Sequence, residues 1–199
     1  MKKVVYLKKK PDLRVTKTLR SIQTAFYELC KQYELNKITV KALTEKAEIN
    51  KTTFYLHYDS IQSLIYELEQ EVIELIIGDD EQLLLLLKKP HDYISFTYKR
   101  MMSHPFGQII SQNSANVKME FMIRHQNCLQ EHLYQLKPEL KLLPDFEALL
   151  SFITAGAIGF YLNKESRNNE FQNNDEDASF FLAHLIDVLW KESGMNPFV

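Results

Sequence analysis

The chain has 199 residues, 45% of them apolar, with a formal net charge of -2, enough length and apolar content for a real core and unlike a disordered or fibrous chain. Two cysteines, Cys30 and Cys128, are too few for a disulfide framework and fit free thiols in a reducing cytosol, and the leucine run 83–87 falls far short of the roughly 20 apolar residues that cross a bilayer. The small net charge conceals a basic head: residues 1–57 hold thirteen Lys or Arg against five Asp or Glu, while the rest of the chain holds eleven against twenty-one, which suits the head to a polyanion, either nucleic acid or an anionic membrane surface.

Met1 to Leu7 imitate the start of a secretory signal, but Lys8, Lys9 and Lys10 interrupt the apolar stretch long before an h-region forms. A soluble, cytoplasmic protein without membrane contact is therefore expected. Five glycines and few β-branched alternating runs predict an all-α fold of about nine helices. Leu19, Ile22, Phe26, Leu29 and Tyr33 recur at three- and four-residue steps and predict a first helix over about 13–34. Thr39 is placed to cap a short helix that turns Val40, Leu43 and Ala47 inward, and Asn50 to cap a second one running to about His57. The turn from Ala47 to Asn50 joins them.

Asp59, with Gln62 three residues on, predicts a capping box for a fourth helix carrying Ile61, Leu64, Ile65, Leu68, Val72 and Leu75, stopped by Gly78. Two domains are expected, 1–58 and 59–199, with the helix 59–78 as connector. Pro90, Pro105, Pro138 and Pro144 punctuate the second of them, because proline lacks the backbone donor and clashes inside a helix. Helices are predicted near 81–88, 91–102, 105–112, 116–136, 145–164 and 177–192, with the Asn-, Asp- and Glu-rich stretch 163–177 as a solvated connection.

The segment Ile38 to Tyr58 has helix-turn-helix logic: a first short helix braces a second whose early residues can enter a major groove. Ile49, Phe54 and Tyr58 face a core, while Asn50, Lys51, Thr52, Thr53, Tyr55 and His57 offer donors, hydroxyls and a positive charge outward. The combination of Thr39-Val40, the turn Ala47-Glu48-Ile49-Asn50 and the ending Tyr55-Leu56-His57-Tyr58 resembles the DNA-binding head of the TetR family of bacterial transcriptional regulators, over about residues 14–70. That resemblance implies phosphate contacts from Thr39, Thr53, Tyr55 and His57, and base-edge contacts from Lys51, Thr52 and Tyr55. Lys41 belongs to the same surface. The chain departs from the family pattern at Glu48, where a turn glycine is usual, at Thr52, often glycine, and at Ile61, often a phosphate-contacting lysine. Basic residues of the preceding arm, Lys8, Lys9, Lys10, Arg14 and Lys17, can supply other phosphate or minor-groove contacts.

A double-stranded operator read by a twofold homodimer is the expected partner. The resemblance implies that the last two long helices make the dimer; Leu149, Ile153, Gly156 and Phe160 on one and Phe181, Leu185, Val188 and Leu189 on the other offer the apolar and small residues for it, and can equally belong to the core of one chain. Tyr93, Phe96, Met101, Met102, Phe106, Met119 and Met122 are adaptable apolar side chains of the kind that line a small-molecule pocket, and equally of the kind that fill a core. His125, Cys128 and His132 share one helix face, but the two histidines lie about 10 Å apart along the axis, too far to hold one ion directly. No metal, cofactor or catalytic residue is expected: there is no Gly-rich phosphate loop and no nucleophile elbow. The function expected is a repressor released from its operator by an effector, with an activator or DNA-bound interaction protein, whose body recruits a protein partner, as the alternative.

Overall fold

The computed structural model describes residues 12–143 and 145–164, with His184 and Val188. Among the described residues there are nine α-helices and no strand: α1 (Leu13–Cys30), α2 (Val40–Lys46), α3 (Lys51–Tyr55), α4 (Ile61–Ile77), α5 (Asp80–Lys88), α6 (Pro90–Ser103), α7 (Pro105–Ser111), α8 (Ala115–Leu136) and α9 (Phe146–Lys164). None of these helices is long and apolar enough to cross a membrane. The chain divides into two compact units, Met1–Ile65 and Tyr66–Val199. The division falls inside α4, later in the chain than the sequence-expected boundary after residue 58.

The first unit closes around Ile22, Ala25, Phe26 and Leu29 of α1, Leu43 of α2, Phe54 of α3, and Tyr58, Ile61 and Leu64. Asp12 caps α1 by accepting from the Arg14 amide at 2.9 Å, and α1 ends sooner than its apolar spacing predicts. Past Cys30 the chain turns to extended backbone at Glu34 and makes one 3-10 turn, Leu35–Lys37. Leu35 and Ile38 are therefore the buried residues there, and Tyr33, expected on the apolar stripe, is exposed. Thr39 does cap α2, its hydroxyl accepting from the Ala42 amide at 3.2 Å.

The turn after α2 is a Schellman closure: the Ile49 amide bonds back to the Thr44 carbonyl at 3.0 Å and the Glu48 amide to the Glu45 carbonyl at 3.3 Å. That geometry puts Glu48 at φ 55°, a left-handed conformation that clashes with the Cβ of an L-residue and that glycine adopts freely. Glu48→Gly is expected to raise stability by about 1 kcal/mol, measured as the urea midpoint. A lowered midpoint would mean that the glutamate side chain contributes more than its backbone strain costs.

The start of α4 also differs from expectation. Instead of Asp59 and Gln62, Ser60 and Ser63 cap reciprocally, each amide bonding the other's hydroxyl at 3.1 Å. Gly78 stops the helix at φ 77°, and Asp79 and Gln82 form a full capping box for α5. A side chain at Gly78 would be built onto Gln82 itself. Pro90 and Pro105 each occupy the first turn of their helices, and Pro138 opens a 3-10 turn, Pro138–Leu142, where the sequence suggests only a helix boundary.

The second unit buries Leu68, Val72, Ile73, Ile76 and Ile77 of α4, Leu83, Leu86 and Leu87 of α5, Phe106 and Ile110 of α7, Leu129 and Leu133 of α8, and Phe146 and Leu150 of α9. Helix α5 packs on both α6 and α8, and α8 on α9. Polar ties join the helices as well: Gln126 of α8 bonds Ser151 of α9 through its side-chain amide, and Arg100 of α6 donates to the Leu75 carbonyl of α4 at 2.9 Å. Glu69, only 2% exposed, is met by Arg124 at 2.7 Å. The helix predicted over 177–192 lies outside the described residues, as does the solvated connection before it.

Candidate nucleic-acid interface

The surface of α3 is set by one anchor. Phe54 is fully buried, and it holds the edge of Tyr55 at 5.5 Å between ring centroids and Tyr58 at 5.7 Å. With that side fixed in the core, Asn50, Lys51, Thr52 and Tyr55 are exposed, and Thr53 and His57 are half-buried. All six belong to one short stretch, as the sequence suggests. Helix α3 ends at Tyr55, however, so His57 lies in the turn beyond it rather than on the helix. Asn50 stands at the cap position but makes no capping bond from its side chain. Its carboxamide is thus not committed to the helix start, contrary to the cap expected of it.

Around this stretch the charges are arranged unevenly. Lys41 pairs with Glu45 at 3.9 Å across exposed side chains, a contact of little energetic weight that a phosphate can displace. Lys46 is tied more closely, reaching Glu28 of α1 at 2.7 Å, and that hydrogen bond holds the Glu28 carboxyl below its ordinary pKa. Ser21 donates to the Ala47 carbonyl at 2.9 Å, fastening α1 to the turn between α2 and α3. An open groove of about 340 Å³ runs along this seam, lined by Lys17, Arg20, Ser21, Thr24, Glu28 and Lys46 among others. Arg14 and Lys17 are exposed on the first turns of α1, and Lys10 lies outside the described residues.

Two residues of this surface were not singled out from sequence. Leu56, 76% exposed, follows Tyr55 and gives the polar stretch an apolar tip suited to contact with a thymine methyl or a sugar. Arg20 shares the groove with Lys17. Spacing from Phe54 carries the signal for Leu56, because a residue two positions from a buried anchor on a helix faces away from the core.

In the second unit the apolar residues assigned to a pocket do not form one set. Tyr93, Met101 and Phe106 are buried, Phe96, Met102 and Met122 are half-buried, and Met119 is 52% exposed. Phe96 is covered by the Arg100 guanidinium, 4.2 Å above its ring. Met119 is thus corrected from pocket to surface: the buried stripe of α8 runs through Phe121, His125, Leu129 and Leu133, and Met119 lies off it. Of the dimer residues, Ile153 is buried within its own chain, Leu149 is half-buried and Gly156 faces open space. Phe152, not named from sequence, is 60% exposed on the same helix, and Val188 is exposed. Phe160, Phe181, Leu185 and Leu189 lie outside the described side chains.

The histidine and cysteine face of α8 separates into different environments. His125 is buried, Cys128 is half-buried, and His132 is exposed with its Nδ1 on the Cys128 carbonyl at 2.7 Å. No group of three metal-ligating side chains occurs among the described residues. His104 caps the start of α7, its Nδ1 accepting from the Phe106 amide at 3.2 Å. Burial pushes the Cys30 thiol up to about 12 and the Cys128 thiol in the same direction, so both are poor nucleophiles at neutral pH. Compared with protein-family models, characterised proteins and solved structures, the chain matches none.

Proposed function

We propose that this chain is a sequence-specific DNA-binding transcriptional regulator of the TetR type, in which α2 and α3 act as a helix-turn-helix and α3 enters the major groove. The observation that carries the reading is the short α3 stretch itself. One buried phenylalanine fixes it, and Asn50, Lys51, Thr52 and Tyr55 are turned outward together beside a basic α1. Those side chains match the needs of groove recognition: Lys51 for a guanine edge or phosphate, Thr52 and Asn50 for base edges, Tyr55 and Thr39 for phosphate oxygens. Lys17, Arg14 and Lys41 add backbone affinity that is independent of sequence.

In this reading the protein works as a cytoplasmic homodimer on a palindromic operator. An effector that binds one conformation of the body better than another lowers operator affinity by shifting the population, and the usual direction is release of a repressor. Phe152 and Gly156, exposed together on α9, support a surface for the second copy. A second reading, a DNA-bound interaction protein or activator whose body takes a protein partner, is favoured by Met119 and Ile123. They stand one turn apart on α8 and are 52% and 50% exposed.

Selection of binding sites from a random DNA pool at fixed salt tests the reading. A palindromic site is expected, and Lys51→Ala and Tyr55→Ala should each weaken it by about tenfold. Lys51→Ala should also flatten the salt dependence by roughly one counterion if its partner is a phosphate. If no sequence is enriched, or both variants select normally, α3 is not a recognition helix.

A further inference from the structure

The groove along the seam of α1 and α2 contains no residue of α3, and its charges do not balance: Lys17, Arg20 and Lys46 line it against the one carboxylate of Glu28. On α1 its lining is a single stripe. Lys17, Arg20, Thr24 and Glu28 stand at three- and four-residue steps and cover about 16 Å of the helix axis. Lys46, the last residue of α2, faces them across the seam.

Such a stripe is unfavourable to the helix that carries it. Arg14, Lys17 and Arg20 follow at three-residue steps, where like charges repel, and Arg14 stands in the first turn, where the positive end of the helix dipole disfavours a cation. That turn holds no acidic residue, and among the described residues neither Lys17 nor Arg20 has an ion partner. An anion in the groove relieves the repulsion. Lys46 is already matched, at 2.7 Å from Glu28, but both side chains are a little under half exposed. Solvent therefore screens the pair, and another anion can displace the carboxylate. Ser21 gives its hydroxyl proton to the Ala47 carbonyl at 2.9 Å and so holds the seam closed, while the exposed Thr24 brings a neutral donor.

We propose that this groove is a phosphate site, in which Lys17, Arg20, Lys46 and Thr24 hold phosphate carrying two negative charges, and that Glu28 competes with it for Lys46. Two charges follow from three cations set against one carboxylate. The Arg20 guanidinium offers a planar fork that meets two phosphoryl oxygens at once, and the two ammonium groups act as point charges on either side. A volume of about 340 Å³ is at the lower end of small-molecule sites. Because the groove is open, it admits either the diphosphate of a small molecule or two neighbouring phosphates of a DNA strand. That a DNA strand supplies them rests on the regulator reading above; that phosphate binds does not.

Inorganic pyrophosphate, followed by titration calorimetry of the full chain, and a short labelled duplex of random sequence, followed by anisotropy, are the two probes, both at matched ionic strength. Arg20→Gln and Lys46→Gln should each weaken binding by about threefold or more, and for the duplex should flatten the salt dependence by roughly one counterion each. Glu28→Gln should tighten binding by about threefold, and adding Lys46→Gln should abolish that gain, since the gain comes from the released lysine. Glu34→Gln, the same change of charge at an exposed position outside the groove, is the control and should do less. A response with pyrophosphate alone assigns the groove to a small phosphate compound, and a response with the duplex alone assigns it to the nucleic-acid backbone. Both outcomes support the site. It is overturned if neither probe responds to Arg20→Gln and Lys46→Gln, or if Glu28→Gln does no more than Glu34→Gln. A response to pyrophosphate in a protein that selects no DNA sequence keeps the groove and removes the regulator reading. Operator selection with no response from any groove variant does the reverse.

Discussion

Arg124→Met is expected to destabilise the second unit by about 3 kcal/mol at neutral pH. Glu69, 2% exposed, has its carboxylate against Arg124 at 2.7 Å, and burial raises its pKa even with that partner in place. Without the guanidinium the carboxylate must either stay charged in an apolar setting or take up a proton. The loss should therefore shrink as the pH is lowered from 7 to 5, where protonation becomes easier. The double variant Glu69→Leu with Arg124→Met should recover most of the stability, since two packed apolar side chains replace a pair that was costly to desolvate. Urea denaturation of the single and double variants at both pH values measures this. A single variant no weaker than the double would show that the pair is not buried in the sense argued here.

The second large effect is acid sensitivity through His125. Burial depresses its pKa from 6.5 to about 4, so the native ring stays neutral over a range in which the unfolded ring takes a proton. The unfolded state thus binds more protons in that window. The stability in question is fully present above pH 6.5 and is lost as the pH falls through the window towards 4, a total on the order of 3 kcal/mol. Glu69 works with the opposite sign, its raised pKa favouring the native state on the acid side. His104 shifts in the same sense as His125 but is less buried. Comparing wild type with His125→Phe cancels both. The variant should show a flatter stability profile between pH 6.5 and 4, and an unchanged profile would mean that the ring is reached by solvent.

Most helices could be drawn from the sequence because their ends are marked by local chemistry. Pro90 and Pro105 announce α6 and α7, Thr39 announces α2, and Gly78 ends α4. Errors arose where two residues could do the same job, or where the chain changed direction within an apolar pattern. Asp59 and Ser60 are both good caps, and only the backbone decides that Ser60 and Ser63 face each other. Tyr33 continues the spacing of α1, but the chain leaves the helix after Cys30 and buries Leu35 and Ile38 instead.

The candidate interface was legible because α3 places one large apolar residue, Phe54, among polar ones, which leaves little choice about its inward side. The body was not. Along α8 apolar residues occur on more than one face, so the sequence alone does not distinguish the buried Phe121 from the exposed Met119 and Ile123. Nor could it show that His125, which shares a face with Cys128 and His132, belongs to the core. Which side of α8 meets its neighbours decides that, a tertiary fact with no local signature.

The left-handed turn at Glu48 has a genetic consequence. Every glutamate codon becomes a glycine codon through a single change at its second base, so relief of the strain at φ 55° is one point mutation away. A population under selection for a more heat-resistant protein can reach that relief in one step, with no intermediate to cross. Gly78 has no such latitude: its φ is likewise positive, and any side chain there would run into Gln82. Of two turns with the same backbone hand, one is open to easy revision and the other is closed to it.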